Sequence, residues 1–146
     1  MKYLHTMVRV KDLEHSLEFY TKILGLYEVD RLENTKGRYT LVFLAAPEDL
    51  EAAHQYRAPC LELTYNWDTE DYTTGRNFGH IAYSVDNIYS TCENFMKNNI
   101  TINRPPRDGK MAFILSPDKV SIEILQKNNP LEPKEPWLSM PNIGTW

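Results

Sequence analysis

Positive charge is scarce in this chain: 16 Lys and Arg stand against 20 Asp and Glu, a formal net charge of −4. A protein that tracks a phosphate backbone needs the opposite balance, which excludes nucleic acid as an expected partner. Long apolar runs are missing as well. The longest, Leu41 to Ala46, falls far short of the ~20 residues of a membrane-spanning helix, so no membrane partner is expected. The opening stretch MKYLHTMVRVKDLEHSL carries charges where a secretory signal needs an apolar core, and no signal peptide is read there. Cysteine is sparse: Cys60 and Cys92 form neither a CxxC pair nor a zinc-knuckle spacing. Both lie in strongly patterned segments and read as reduced core thiols of a cytoplasmic protein. What is present is ordinary for a globular fold, with 42% hydrophobic and 25% charged residues in 146. That suffices for one domain, or for two small halves sharing a core, and excludes a disordered chain.

Sliding the chain along itself until His5 meets His80 lays HTMVRVKDLEHSLEFYTK over HIAYSVDNIYSTCENFMK. Val10 then meets Val85, Glu18 meets Glu93 and Lys22 meets Lys97. Each copy opens with a strand pattern, Tyr3 to Val10 and Gly79 to Val85, followed by an N-cap candidate, Asp12 or Asp86. Helical stripes follow, Leu13, Leu17, Tyr20 and Leu24 in the first copy and Ile88, Cys92 and Phe95 in the second. The first helix is expected to end near Gly25 and the second near Asn98 and Asn99, through left-handed caps. Strands are then expected over 27–33, 38–44 and 60–65 in the first copy, and over 100–103, 111–115 and 120–125 in the second. The order β-α-β-β-β, twice, defines an α+β fold. Beyond Asn128 the chain is rich in proline and lacks periodicity, and an arm without regular structure is expected over 128–146. Leu131, Trp137, Leu138, Met140, Ile143 and Trp146 give that arm enough apolar surface to dock rather than float.

Among four histidines, His15 and His54 read as solvated side chains, whereas His5 and His80 occupy the same strand position in both copies. The last strand of each copy adds a glutamate between aliphatics, Glu62 in LELTY and Glu123 in SIEIL. Alternation places each carboxylate on the face opposite its aliphatic neighbours. A solvent-facing sheet would produce one such glutamate. Two His and two Glu at matching repeat positions point instead to a His2Glu2 ligand set for a divalent first-row metal. Arg9 lies four positions beyond His5, and Asn66 four beyond Glu62, each about 13 Å along its strand. A metal at one end and an Arg/Asn pair at the other describe an elongated site, with Arg9 suited to a substrate carboxylate.

HTMVRVKDLEHSLEFYTKILG, LELTYNW, FGHIAYSVDN and PDKVSIEIL together closely resemble glyoxalase I, of the vicinal oxygen chelate superfamily of paired βαβββ modules. The resemblance runs from about residue 1 to 127. It implies a glyoxalase-like domain over 1–127, with modules at about 1–67 and 78–127 forming a curved mixed sheet, and a homodimer with sites at the interface. By that likeness His5, Glu62, His80 and Glu123 are the metal ligands, two from each chain. The first-position His and the short segment before the second His resemble the nickel- or cobalt-activated type, with zinc the other option. The implied substrate is the hemithioacetal of methylglyoxal and glutathione, with Glu123 as principal base and Glu62 serving the other enantiomer. The γ-glutamyl end matches Arg9, Asn66 and Arg76, and the glycyl end matches Arg104, Lys110 and the backbone of Met111. Two departures stand out. DGKMAFI is continuous where the family carries extra residues, as in the trypanothione-dependent relatives, although NRPPRDGK is basic here. PDK replaces the usual PDG, so Lys119 must adopt a turn conformation that glycine takes easily. An epimerase-type enzyme of the same superfamily, a trypanothione-dependent glyoxalase and a non-catalytic binding protein on the same scaffold are the rival readings.

Overall fold

Alternation in HTMVR makes a strand, β1 (His5–Arg9), with His5, Met7 and Arg9 exposed and Val8 buried. The computed structural model describes all residues except Thr69, Thr74 and Arg76, and it falls into two units, Met1–Thr73 and Thr74–Trp146.

In the first unit Asp12 caps α1 (Leu13–Leu17), accepting the His15 N–H at 3.0 Å. The helix widens into a π-helical stretch over Glu18–Ile23, closed by Leu24 N–H on Phe19 O. This widening changes the expected stripe. Phe19 and Tyr20 are both fully buried and meet edge to face at 5.0 Å, while Leu13 and Leu24 stay half-buried. Gly25 then takes φ +86°, the left-handed exit expected of it. β2 (Tyr27–Asn34), β3 (Tyr39–Ala45), α2 (Leu50–Tyr56) and β4 (Cys60–Asn66) complete the unit. The sheet order is β1-β4-β3-β2, with β1 and β4 parallel and the other pairs antiparallel. Leu61, Leu63, Val42 and Leu44 are buried on one face. On the other, Phe43, Ala45, Ala53 of α2 and Cys60 form a cluster, so α2 covers one end of the face that carries Glu62.

The second unit repeats the plan with β5 (His80–Val85), α3 (Ile88–Lys97), β6 (Met111–Leu115) and β7 (Ser121–Gln126), ordered β5-β7-β6 with β5 and β7 parallel. Asn87, not Asp86, caps α3, accepting the Ser90 N–H at 3.0 Å. Its apolar stripe Ile88, Cys92 and Phe95 is buried, and the helix packs on β6 and β7. The strand expected over 100–103 is absent from the described structure. Only a single bridge, Arg104 to Phe113, remains of it. Pro105 and Pro106 follow at once, and proline supplies no N–H with which to continue a ladder. Lys119 does adopt φ +63° at the PDK turn.

The arm beyond Asn128 is ordered against this second unit. Trp137 is 1% exposed and stacks on Tyr89 at 6.1 Å. Ile143 N–H donates to Asn103 O and Asn103 Nδ2 donates back to Ile143 O, both at 2.9 Å. Arg107 holds Met140 O and Asn142 Oδ1, and Trp146 packs on Phe113 at 5.9 Å. Among the described residues no helix is long and apolar enough to cross a membrane.

Candidate metal centre

Parallel pairing of β1 with β4 sets His5 opposite Cys60 and Met7 opposite Glu62. His5 and Glu62 are therefore diagonal neighbours on one face, and His5 Nε2 lies 3.1 Å from Glu62 Oε2. The second unit reproduces this register. His80 pairs with Ser121, Ala82 pairs with Glu123, and His80 Nε2 lies 3.1 Å from Glu123 Oε2. Both glutamates are largely covered, with side chains 12% and 14% exposed, while both histidines stay accessible. A carboxylate so covered needs a partner, and the imidazole provides one.

Each pair has an aromatic neighbour that the sequence reading missed. Phe43 pairs across the sheet with Glu62 and meets the His5 ring edge-on at 5.8 Å. Phe113 pairs with Glu123 and meets the His80 ring edge-on at 5.4 Å. Each imidazole is thus fixed between a carboxylate and a phenyl ring. The signal was the Phe in LVFLA and in MAFIL, but connecting segments of different length put the two out of step with the His repeat. The two glutamates differ in one contact: Thr64 Oγ1 donates to Glu62 Oε1 at 3.2 Å, whereas the matching position beside Glu123 is Leu125.

Imidazole nitrogen beside carboxylate oxygen, presented twice, is donor chemistry that suits a divalent first-row metal. Among the described residues no three or more His, Cys, Asp and Glu side chains converge to hold one, so the chain offers two half-sets.

Of the other expected site residues, Arg9 is exposed at the far end of β1 on the His5 face. Asn66 is half-buried at the far end of β4, with Nδ2 3.3 Å from the Tyr72 hydroxyl. Arg76 lies outside the described residues. Arg104 is already engaged: Nη1 donates to Met111 O and Nη2 to Asp108 Oδ2 at 2.9 Å. The N–H groups of Lys110 and Met111 donate to Asp108 Oδ1 at 3.0 and 3.1 Å. Burial acts to raise the Asp108 pKa, but the Arg104 guanidinium and these two N–H groups outweigh it and hold the carboxyl below its ordinary range. Nothing in the sequence singled out Asp108, because a DG turn reads simply as a turn.

Known proteins carry the same architecture. Residues 2–124 match the family model described as Glyoxalase/Bleomycin resistance protein/Dioxygenase superfamily. A probable lactoylglutathione lyase of Vibrio cholerae is 41% identical over 128 residues, 84% of this chain and 88% of that protein. The lactoylglutathione lyase of Escherichia coli O157:H7 is 39% identical over 135 residues, 88% of this chain and 95% of that protein. Among solved structures, the trypanothione-dependent glyoxalase I of Leishmania major superposes with a TM-score of 0.74 at 34% identity, covering 86% of each chain. Twin His–Glu pairs on twin sheets, a family match over most of the chain and relatives this similar lead to one placement: the chain belongs to the Glyoxalase/Bleomycin resistance protein/Dioxygenase superfamily.

Proposed function

We propose that the chain is a lactoylglutathione lyase, isomerising the hemithioacetal of methylglyoxal and glutathione to S-D-lactoylglutathione. The observation that carries this reading is the twice-repeated His–Glu pair at 3.1 Å, in a chain about 40% identical to lactoylglutathione lyases over most of its length. His5 and Glu62 of one chain and the partner subunit's His80 and Glu123 would complete a four-donor set in a homodimer. These four side chains would hold a divalent metal, nickel or cobalt in preference to zinc, which when bound would supply positive charge to offset the negative charge developing on the substrate oxygens.

The chemistry left to the protein is proton transfer. The Glu123 carboxylate takes the C–H proton from the carbon bearing sulfur. The electron pair moves into an enediolate, and Glu123 returns the proton to the adjacent carbon. A thioester and a secondary alcohol result once the hydroxyl proton on the sulfur-bearing carbon has passed to the former ketone oxygen, so that no atom or electron is gained or lost. The absence of a hydroxyl donor at Leu125 supports Glu123 in this role, since it leaves the carboxylate less tied than Glu62. Glu62 serves the other hemithioacetal enantiomer. Arg9, Asn66 and Arg76 hold the γ-glutamyl end of glutathione, and Arg104, Lys110 and Met111 surround its glycyl end. Two free, buried cysteines suit a reducing compartment, and we place the enzyme in the cytoplasm.

The test is turnover of the hemithioacetal, followed by thioester absorbance, after metal is stripped and nickel, cobalt or zinc is restored. Loss on stripping and recovery with at least one metal is the expected result. Inactivity with all three contradicts the reading.

A further inference from the structure

Asp108 turns back on its own loop and accepts three hydrogen bonds, from Arg104 Nη2 at 2.9 Å and from the N–H groups of Lys110 and Met111 at 3.0 and 3.1 Å. A carboxylate on a guanidinium and two adjacent N–H groups fills a complete anion cradle. The backbone of that cradle is pinned. Gly109 sits at φ +64°, and a Cβ there would come within 1.9 Å of Leu131 O. Leu131 N–H donates to Gly109 O at 3.0 Å, and Gln126 N–H donates to Lys110 O at 2.8 Å. Arg104 is also committed to Met111 O. Emptying the cradle therefore requires the Asp108 side chain, 43% exposed, to swing into solvent.

We propose that Asp108 is a specificity-determining residue, an internal carboxylate occupying the cradle of Arg104, Lys110 and Met111, so that thiols with an uncharged glycyl end are accepted as readily as those with a free carboxylate. This rests on the assignment of the glycyl end to these residues in the function proposed above. The physical basis is exchange. An incoming carboxylate replaces one set of charge-assisted hydrogen bonds by an equivalent set and gains little net free energy. It also approaches a like charge. An amide end forgoes nothing, because the donors it leaves are already satisfied.

The experiment compares S-methylglutathione with its glycyl amide by calorimetry on the metal-loaded enzyme, and the two corresponding hemithioacetals by steady-state kinetics. Wild type should bind and turn over the pair within about threefold, where an open cradle would favour the free carboxylate by about tenfold or more. Asp108→Ala should tighten only the free-carboxylate ligand, by about tenfold. Asp108→Asn, which keeps an acceptor for the two N–H groups, should shift the ratio in the same direction by less, and melting curves verify that both variants fold. A wild-type preference of about tenfold for the free carboxylate, or an Asp108→Ala ratio equal to wild type, overturns the proposal alone. If neither ligand binds and neither hemithioacetal reacts, the glutathione reading itself fails and the proposal falls with it.

Discussion

Thr64 donates its hydroxyl to Glu62 Oε1 at 3.2 Å, and this hydrogen bond breaks the equivalence of two otherwise matching His–Glu pairs. Glu62 is held by a histidine and a hydroxyl, and Glu123 by a histidine beside Leu125. A carboxylate that must collect and release a proton is better placed with one oxygen less committed. Glu123→Gln should keep fold and metal content while turnover falls by about 10²–10⁴-fold, the usual loss for a general base. Glu62→Gln should lose less on the same hemithioacetal mixture. Kinetics of the metal-loaded variants decide the order, and equal losses would remove the distinction drawn from Thr64.

Arg9 is exposed on the His5 face, at the opposite end of β1 from the histidine. Binding the unreactive end of the substrate contributes equally to ground and transition states. Arg9→Ala should therefore raise KM with kcat nearly unchanged. A large fall in kcat at constant KM would move Arg9 to the reacting atoms.

Trp137 anchors the arm. It is 1% exposed and stacks on Tyr89, whose hydroxyl donates to Glu132 O of the arm at 2.9 Å. Truncating such a side chain typically costs about 3–5 kcal/mol. Trp137→Ala should lower the melting temperature markedly, and truncation after Lys127 should lower it at least as far. Unchanged melting in both would show that the arm contributes nothing to stability.

Burial pushes the Cys92 thiol up to about 12 and raises that of Cys60 as well. Thiolate is the reactive form, so the native protein should resist iodoacetamide at pH 8, while both cysteines should be modified rapidly in denaturant. Mass spectrometry of the two samples reads this directly. Rapid native modification of Cys92 would contradict its burial.

The depressed Asp108 pKa has a defined sign. Its stabilisation is fully present above the unfolded value of about 3.9 and is lost as pH falls through the lower folded value. Wild type should lose melting temperature more steeply than Asp108→Asn as pH falls below about 4. Parallel curves would show that the Asp108 contacts do not form in solution.

Much of this molecule is legible in local pattern. Alternation around Leu61, Leu63, Ile122 and Ile124 placed Glu62 and Glu123 opposite the aliphatic face, and the structure buries those four aliphatics while leaving the carboxylates beside His5 and His80. Asp12 and Gly25 announced the start and end of the first helix. Periodicity and caps act over a few residues, so a sequence displays them openly. Other features depend on groups distant along the chain. The 3.1 Å His–Glu separation comes from the parallel register of β1 with β4 and of β5 with β7. Phe43 and Phe113 reach the histidines through a third strand whose distance along the chain differs between the units. The stretch over 100–103 has strand-like residues, yet Pro105 and Pro106 stop the ladder and the arm supplies its partners instead, Ile143 to Asn103. Asp108 looked like a turn residue until the fold brought Arg104 to it. Pairing register and side-chain convergence are set by long-range packing, where many weak contacts are satisfied at once, and no short window of sequence carries that information.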